Sequence, residues 1–242
     1  MRKFIDFHVK HSVEDTEGLK RILELMVELG FSAVTLTFSV KDERRKIEES
    51  KDLCLRAGLD MVSRVDLNPK SPRELLEALR SVRRRFEIVA VLCSSKAVAR
   101  QAAKDRRVDV LNFPVEPSKR AMLSFDRAEA NLASQAFAAY EVNFSDVFRL
   151  RGVKRAKLVS IISREVETAK KFGIPIIISS GAETIYEVKS PRDLASISAL
   201  IGLDQKTSLE AVSKTPLSIV ERNREKLSQS YVAPGVKVVR RF

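Results

Sequence analysis

The stretch GIPIIISSGAETIYEVKSPRDL, residues 173–194, reads as one strand, one loop and the opening of one helix. Residues 174–178 are an apolar run of strand length, ended by the small residues Ser179, Ser180 and Gly181. Ser190 before Pro191 sets a capping hydroxyl ahead of a proline at the first helical position. Small hydroxyl residues and a glycine at the carboxyl end of a buried strand can turn N–H and O–H groups toward a phosphate, with Arg192 in the next turn adding positive charge, or can simply close a tight structural loop beside a surface arginine.

The same unit recurs along the chain. Apolar runs at about 4–9, 33–38, 59–66, 88–93, 108–113, 137–144 and 174–179 alternate with helix-period segments at about 16–29, 42–57, 72–85, 96–105, 125–134 and 154–172. Ser71-Pro72 repeats the cap of Ser190-Pro191, and Gly30, Gly58 and Gly173 each stand just past a helix. Seven strands in alternation with helices predict a single closed, TIM-barrel-like β/α barrel, with an open doubly wound sheet as the rival. The first strand opens no GxGxxG, and GxxxxGK[ST] occurs nowhere, so dinucleotide and P-loop readings fall away. After Gly202 the pattern holds helices only, at about 205–213 and 216–228. The expected organisation is one barrel domain with C-terminal helices over residues 1–228, and a tail over 229–242 that is frayed or held by a partner.

Composition narrows the function. With 44 Lys and Arg against 32 Asp and Glu, the formal net charge is +12, which favours a polyanionic partner. The excess is localised: residues 80–107 carry nine cations against two carboxylates, residues 149–171 carry eight against two, and the remainder is close to neutral. The candidate RNA-contacting residues of these segments are Arg83, Arg84, Arg85, Lys96, Arg100 and Arg107, then Arg151, Lys154, Arg155 and Lys157. The chain has no Trp and only three tyrosines, Tyr140, Tyr186 and Tyr231, so backbone recognition of structured RNA fits better than sequence readout. Cys54 and Cys93 show no CxxC spacing and read as reduced core residues of a cytoplasmic protein. No run approaches the roughly 18 apolar residues of a membrane span, and no membrane partner is expected.

Both histidines lie in Asp6-Phe7-His8-Val9-Lys10-His11. Asp6 and His8, sharing a strand face, are weak candidates for a metal site, because Lys10 takes the next place on that face. Asp66 and Glu141 are distant supplements, and no Ser–His–Asp set is indicated.

FIDFHVKHS at the first strand, RVDL in the third, VDVLNF in the fifth, YEVNFSDVF in the sixth, the SSGA and SPRDL of the opening stretch and the late PLSIVERNRE together resemble the ribonuclease P protein component 3 family, over about residues 3–228. These proteins are the archaeal counterparts of the eukaryotic thirty-kilodalton ribonuclease P subunit. The resemblance implies a barrel related to the polymerase and histidinol phosphatase metal-dependent phosphoesterases. It implies a subunit of the holoenzyme that removes 5′ leaders from precursor tRNA, with catalysis and its magnesium belonging to the RNA and no cofactor on the protein. Implied partners are the ribonuclease P RNA, precursor tRNA, protein component 2 and the other protein subunits. Those metal barrels open with His-x-His, and this chain has Lys10 in place of the second histidine, which suits a noncatalytic RNA-binding relative. Arg222 and Arg224, in ERNR, become candidates for RNA or partner contact. A stand-alone metal-dependent phosphoesterase using Asp6 and His8 is the alternative.

Overall fold

Each of the seven apolar runs becomes a strand. The computed structural model describes residues 2–233 and 236–237, and in it β1 (Ile5–Val9), β2 (Ala33–Phe38), β3 (Asp60–Leu67), β4 (Ile88–Leu92), β5 (Val110–Asn112), β6 (Ala139–Asn143) and β7 (Ile176–Ser179) lie side by side in sequence order. Every neighbouring pair is parallel. The helices between them are α1 (Thr16–Glu28), α2 (Arg44–Ala57), α3 (Pro72–Val82), α4 (Lys96–Lys104), α5 (Pro117–Leu123), α6 (Arg127–Ala136), α7 (Phe144–Arg149) and α8 (Gly152–Lys171). After β7 come α9 (Pro191–Ile197), α10 (Gln205–Ala211) and α11 (Lys214–Leu227).

Local chemistry sets the boundaries. The Ser71 and Ser190 side chains accept from the Glu74 and Asp193 amides, with proline following each cap, and Gly58 ends α2 at φ +87°.

The ring is one strand short of the usual eight, so its seam is closed by other means. At the carboxyl end, Gly181 N–H donates to His8 O (3.0 Å), Lys10 N–H donates to Ala182 O (2.8 Å), and Val9 bridges Ala182 in parallel. At the amino end, Ile5 N–H donates to Val212 O, in the link between α10 and α11. The result is a nearly closed parallel barrel ringed by helices.

Two apolar layers follow. Outward-facing strand residues such as Val34, Leu36, Val65, Val89, Leu111 and Ile178 pack under the helices. Ile5, Phe7, Val62, Ile88, Val110 and Ile177 form a separate cluster in the lumen, and Ile219 and Val220 of α11 plug it from the amino end.

Several segments depart from the sequence reading. Phe144 opens α7 instead of extending β6, and α5 and the 3-10 turns Ile185–Glu187 and Ser198–Ile201 have no counterpart in the periodic pattern. In the tail, β8 (Tyr231–Ala233) pairs antiparallel with β9 (Val236–Lys237), a ribbon the periodic pattern does not include; residues 234–235 and 238–242 of the tail lie outside the described residues. Among the described residues, no helix is long and apolar enough to cross a membrane.

Candidate functional site

The upper lumen holds a set of charges that the strand pattern did not announce. Arg64 on β3 is fully buried, and its guanidinium spans the barrel. Nη1 and Nη2 donate to Oε1 and Oε2 of Glu141 on β6 (2.8 and 2.7 Å), Nη1 also donates to Phe7 O (2.8 Å), and Nε donates to Asp66 Oδ1 (2.6 Å). Asn112 Nδ2 and the Ser179 hydroxyl complete the shell of Glu141. His8 lies alongside, with Nδ1 2.9 Å from Asn143 Oδ1 and Nε2 2.8 Å from Asp66 Oδ2. Burial alone would push the Asp66 and Glu141 carboxyls up, but Arg64, then His8, overcome it and hold both below the usual carboxylate range.

This geometry corrects the expected shared face of Asp6 and His8. The β1–β2 register slips between Asp6 and Val9, and such a bulge re-aims the side chains that follow it. His8 therefore meets the lumen groups, while Asp6 Oδ1 accepts the Ser180 N–H (3.1 Å) at the seam. Burial pushes the Asp6 carboxyl up against the opposing effect of the Ser180 bonds. His11 points elsewhere and donates to Glu183 O, and Lys10 pairs with Asp146 at the rim. Asp66 and Glu141, distant supplements by sequence alone, are the groups that reach His8, and Arg64 stands among them as the cation.

The opening stretch is used at the same seam. The Ser179 hydroxyl donates to Glu141, the Ser180 and Gly181 amides donate to Asp6 and His8 O, and Ser145 ties down Ser180 O and Gly181 O. A Cβ on Gly181, at φ +64°, would stand 2.7 Å from Ser145 Oγ. Ser179, Ser180 and Gly181 thus close a tight loop that clasps the barrel, the structural one of the two uses expected of them, with the Ser180 and Gly181 N–H groups turned inward.

The cationic candidates divide into tied and untied. Arg83 pairs with buried Asp109 (2.6 Å), Arg85 donates to Val40 O and Asp42 O, and Lys96 bridges Asp126, Glu129 and Ser124 O. Arg100 faces Glu129 at 3.7 Å, Arg107 chelates Asp105, and Arg155 donates to Leu150 O and Phe148 O. Arg224 spends its donors on Asp60, Glu87 and Met61 O, and Arg222 divides its own between Asp109 and Phe137 O, so ERNR pins α11 beneath the barrel. Arg84, Arg151, Lys154, Lys157 and Arg192 are exposed, with no side-chain hydrogen bond or close ion pair among the described residues. Arg192 lines, with Arg2 and Phe4, a cavity of about 780 Å³ between the end of α1 and α9–α10.

The two charge clusters are spread along the barrel axis. Helices return antiparallel to their strands, so the carboxyl ends of α3 and α4 lie at the amino end of the barrel, whereas the start of α8 lies at the carboxyl end, where Arg149 pairs with Glu183 and Glu187. Basic groups therefore stand at both ends, and each segment reaches both, since Lys96 opens α4 at the carboxyl end and Lys170 and Lys171 close α8 at the amino end.

Comparison with known proteins adds the remaining finding. The family model described as RNase P subunit p30 matches residues 3–228. Ribonuclease P protein component 3 of Methanosarcina mazei is 25% identical over 239 residues, covering 98% of this chain and 96% of its own. That of Methanothermobacter thermautotrophicus is 26% identical over 247 residues, covering 99% and 96%. A chain of an archaeal ribonuclease P, solved by cryo-electron microscopy with mature tRNA, superposes with a TM-score of 0.83 at 23% identity, covering 98% of both chains.

Proposed function

Because this chain belongs to the RNase P subunit p30 family, we propose that it is an RNA-binding protein subunit of ribonuclease P, the endonuclease that removes the 5′ leader from precursor tRNA. The observation that carries the reading is the division of its charge. The buried groups that could do hydrolysis are bonded to one another around Arg64, while untied cations are displayed outward at Arg84, Arg151, Lys154, Lys157 and Arg192. A protein built this way neutralises phosphates and leaves chemistry to the RNA and the magnesium that the RNA holds. Its partners are the ribonuclease P RNA, precursor tRNA, protein component 2 and the other subunits, and its place is the cytoplasm, consistent with two buried free cysteines. The metal-dependent phosphoesterase alternative has no support, since Asp6 and His8 are turned to different partners and a guanidinium fills the space between Asp66 and Glu141, the carboxylates that would supplement them.

The experiment is precursor-tRNA cleavage at low magnesium by the purified protein alone, then with ribonuclease P RNA and component 2. Cleavage confined to the mixture, and greater than with RNA and component 2 only, supports the reading; cleavage by the protein alone, free of contaminating nuclease, overturns it.

Two variants sharpen the test. Replacing Arg151, Lys154 and Lys157 together with alanine leaves the fold intact and weakens assembly. The slope of log affinity against log salt falls by about 0.7–0.9 for each phosphate that is no longer neutralised, and an unchanged slope would make this face ordinary surface. His8→Ala removes the bond to Asn143 and lowers stability by about 1–3 kcal/mol, yet cleavage by the assembled particle stays within a few-fold of the parent, read at a temperature where both are folded. A loss of several orders of magnitude with the fold intact would make the lumen an active site.

A further inference from the structure

Phe137 ends α6 in the left-handed region, at φ +63° and ψ +28°, the one non-glycine residue with positive φ among the described residues. A bulky side chain is a genuine outlier there, and Gly58 shows what the chain uses at the corresponding end of α2. The ring is also 61% exposed, so packing does not explain it. Strain of this kind persists where the side chain has a use.

The carbonyl of Phe137 accepts from Arg222 Nη1 (3.3 Å), and this bond joins the ring to a crowd of cations. Arg222 and Arg83 share the carboxylate of Asp109, Lys226 follows Arg222 by one helical turn, and Arg106 lies just upstream of Asp109. Two arginines therefore share one carboxylate, and Lys226 stands within the field of Arg222, Asp109, Arg83 and Arg106. Partial desolvation, then Arg222, and after them Arg83 and Arg106, push the solvent-reaching Lys226 ammonium below its usual value against the pull of Asp109. Arg83 and Arg222 are held by Asp109 and supply field; Arg106 and Lys226 are exposed.

We propose that this amino-terminal rim of the barrel binds an unpaired stretch of RNA, with Phe137 stacking on a base and Arg106 and Lys226 holding the adjoining phosphates in the field of Arg83 and Arg222. The inference rests on the RNA-binding reading above and adds the kind of element recognised. Paired RNA hides its base faces and would leave the ring without a partner, whereas stacking on an aromatic beside a cationic track is how single strands are held. An apolar protein surface would bury the unpaired charges of Arg106 and Lys226 at a large cost.

The test sets two readouts against each other, using the full chain, a short oligouridylate and an abasic oligomer of the same length. Phe137→Gly relieves the left-handed strain, so its melting temperature equals or exceeds that of the parent, while its affinity for oligouridylate falls about ten-fold and its affinity for the abasic oligomer is unchanged. Phe137→Tyr retains binding to both. Lys226→Ala lowers the salt slope by about 0.7 for either oligomer. Equal binding of oligouridylate and abasic oligomer by the parent, or unchanged affinity in Phe137→Gly, overturns the proposal. If the parent joins the ribonuclease P particle but binds neither oligomer, the rim is not an RNA site although the subunit reading stands. Failure to join the particle would remove that reading itself.

Discussion

Arg64→Met lowers stability by about 3–5 kcal/mol near neutral pH, and the deficit shrinks as the solution is acidified. Methionine retains an unbranched stem, so the loss is one of charge and hydrogen bonding more than of volume. It strands Glu141, both of whose oxygens face the guanidinium, and Asp66, which turns Oδ1 to it and Oδ2 to His8. In the parent, burial raises these carboxyls and Arg64 more than reverses it. Their depressed pKa values therefore contribute stability that is present above the unfolded carboxylate value of about 4 and is lost as pH falls through the folded values. Without Arg64 the burial of Glu141 is opposed, among charges, by His8 alone, so the variant is penalised at neutral pH and recovers when the carboxyl protonates. Urea unfolding of both proteins at neutral pH and near pH 4 measures the two gaps. A gap that stays constant with pH, or a loss under about 1 kcal/mol at neutral pH, would show that the lumen is hydrated enough to do without the guanidinium.

Arg120→Met produces a loss of similar size, about 3–5 kcal/mol, or roughly 10 °C in melting temperature for a domain of this length. Arg120 on α5 donates from Nε to Glu165 Oε2 (2.9 Å), from Nη2 to the Tyr140 hydroxyl (2.7 Å), and from Nη1 to Phe113 O and Pro114 O. The Tyr140 hydroxyl donates to Glu165 Oε2 (2.6 Å), and the other carboxylate oxygen takes the Phe125 amide. Because Glu165 lies on α8, this cluster anchors the helix that carries Arg151, Lys154 and Lys157 at and just before its first turns. A double-mutant cycle with Glu165→Gln separates lost pairing from a stranded charge: the two changes together cost clearly less than their sum. Additive effects would mean that Arg120 acts through packing alone.

Much of this architecture could be read from the residues in order. Helix-period and strand-period segments of ordinary length fell where they form, because periodicity and caps are local. The seven-residue α5 and the six-residue α7 are too short to show a period. The site was harder for a reason of distance. Arg64 reaches Glu141 across 77 positions and Arg224 reaches Asp60 across 164, so no window distinguishes a tied arginine from an untied one. The run of polar residues toward the carboxyl ends of successive strands, Asp66, Asn112, Glu141 and Ser179, was a usable signal for the lumen network. The bulge after Asp6 was not, since nothing in FIDFHV marks a slipped register. The charged segments are contiguous in sequence, yet which of their residues come to each end of the barrel needed the topology.

The split closure of the seam sets an order of events during synthesis. One edge of β1 can be satisfied only by Gly181, Ala182 and Val212, residues that leave the ribosome long after the strand itself. Until then the nascent chain carries an open, apolar sheet edge, the kind of surface that invites chaperones or wrong partners. A ribosome paused before Val212 is translated would hold a barrel that cannot shut, and shortening the message there would yield an aggregation-prone fragment.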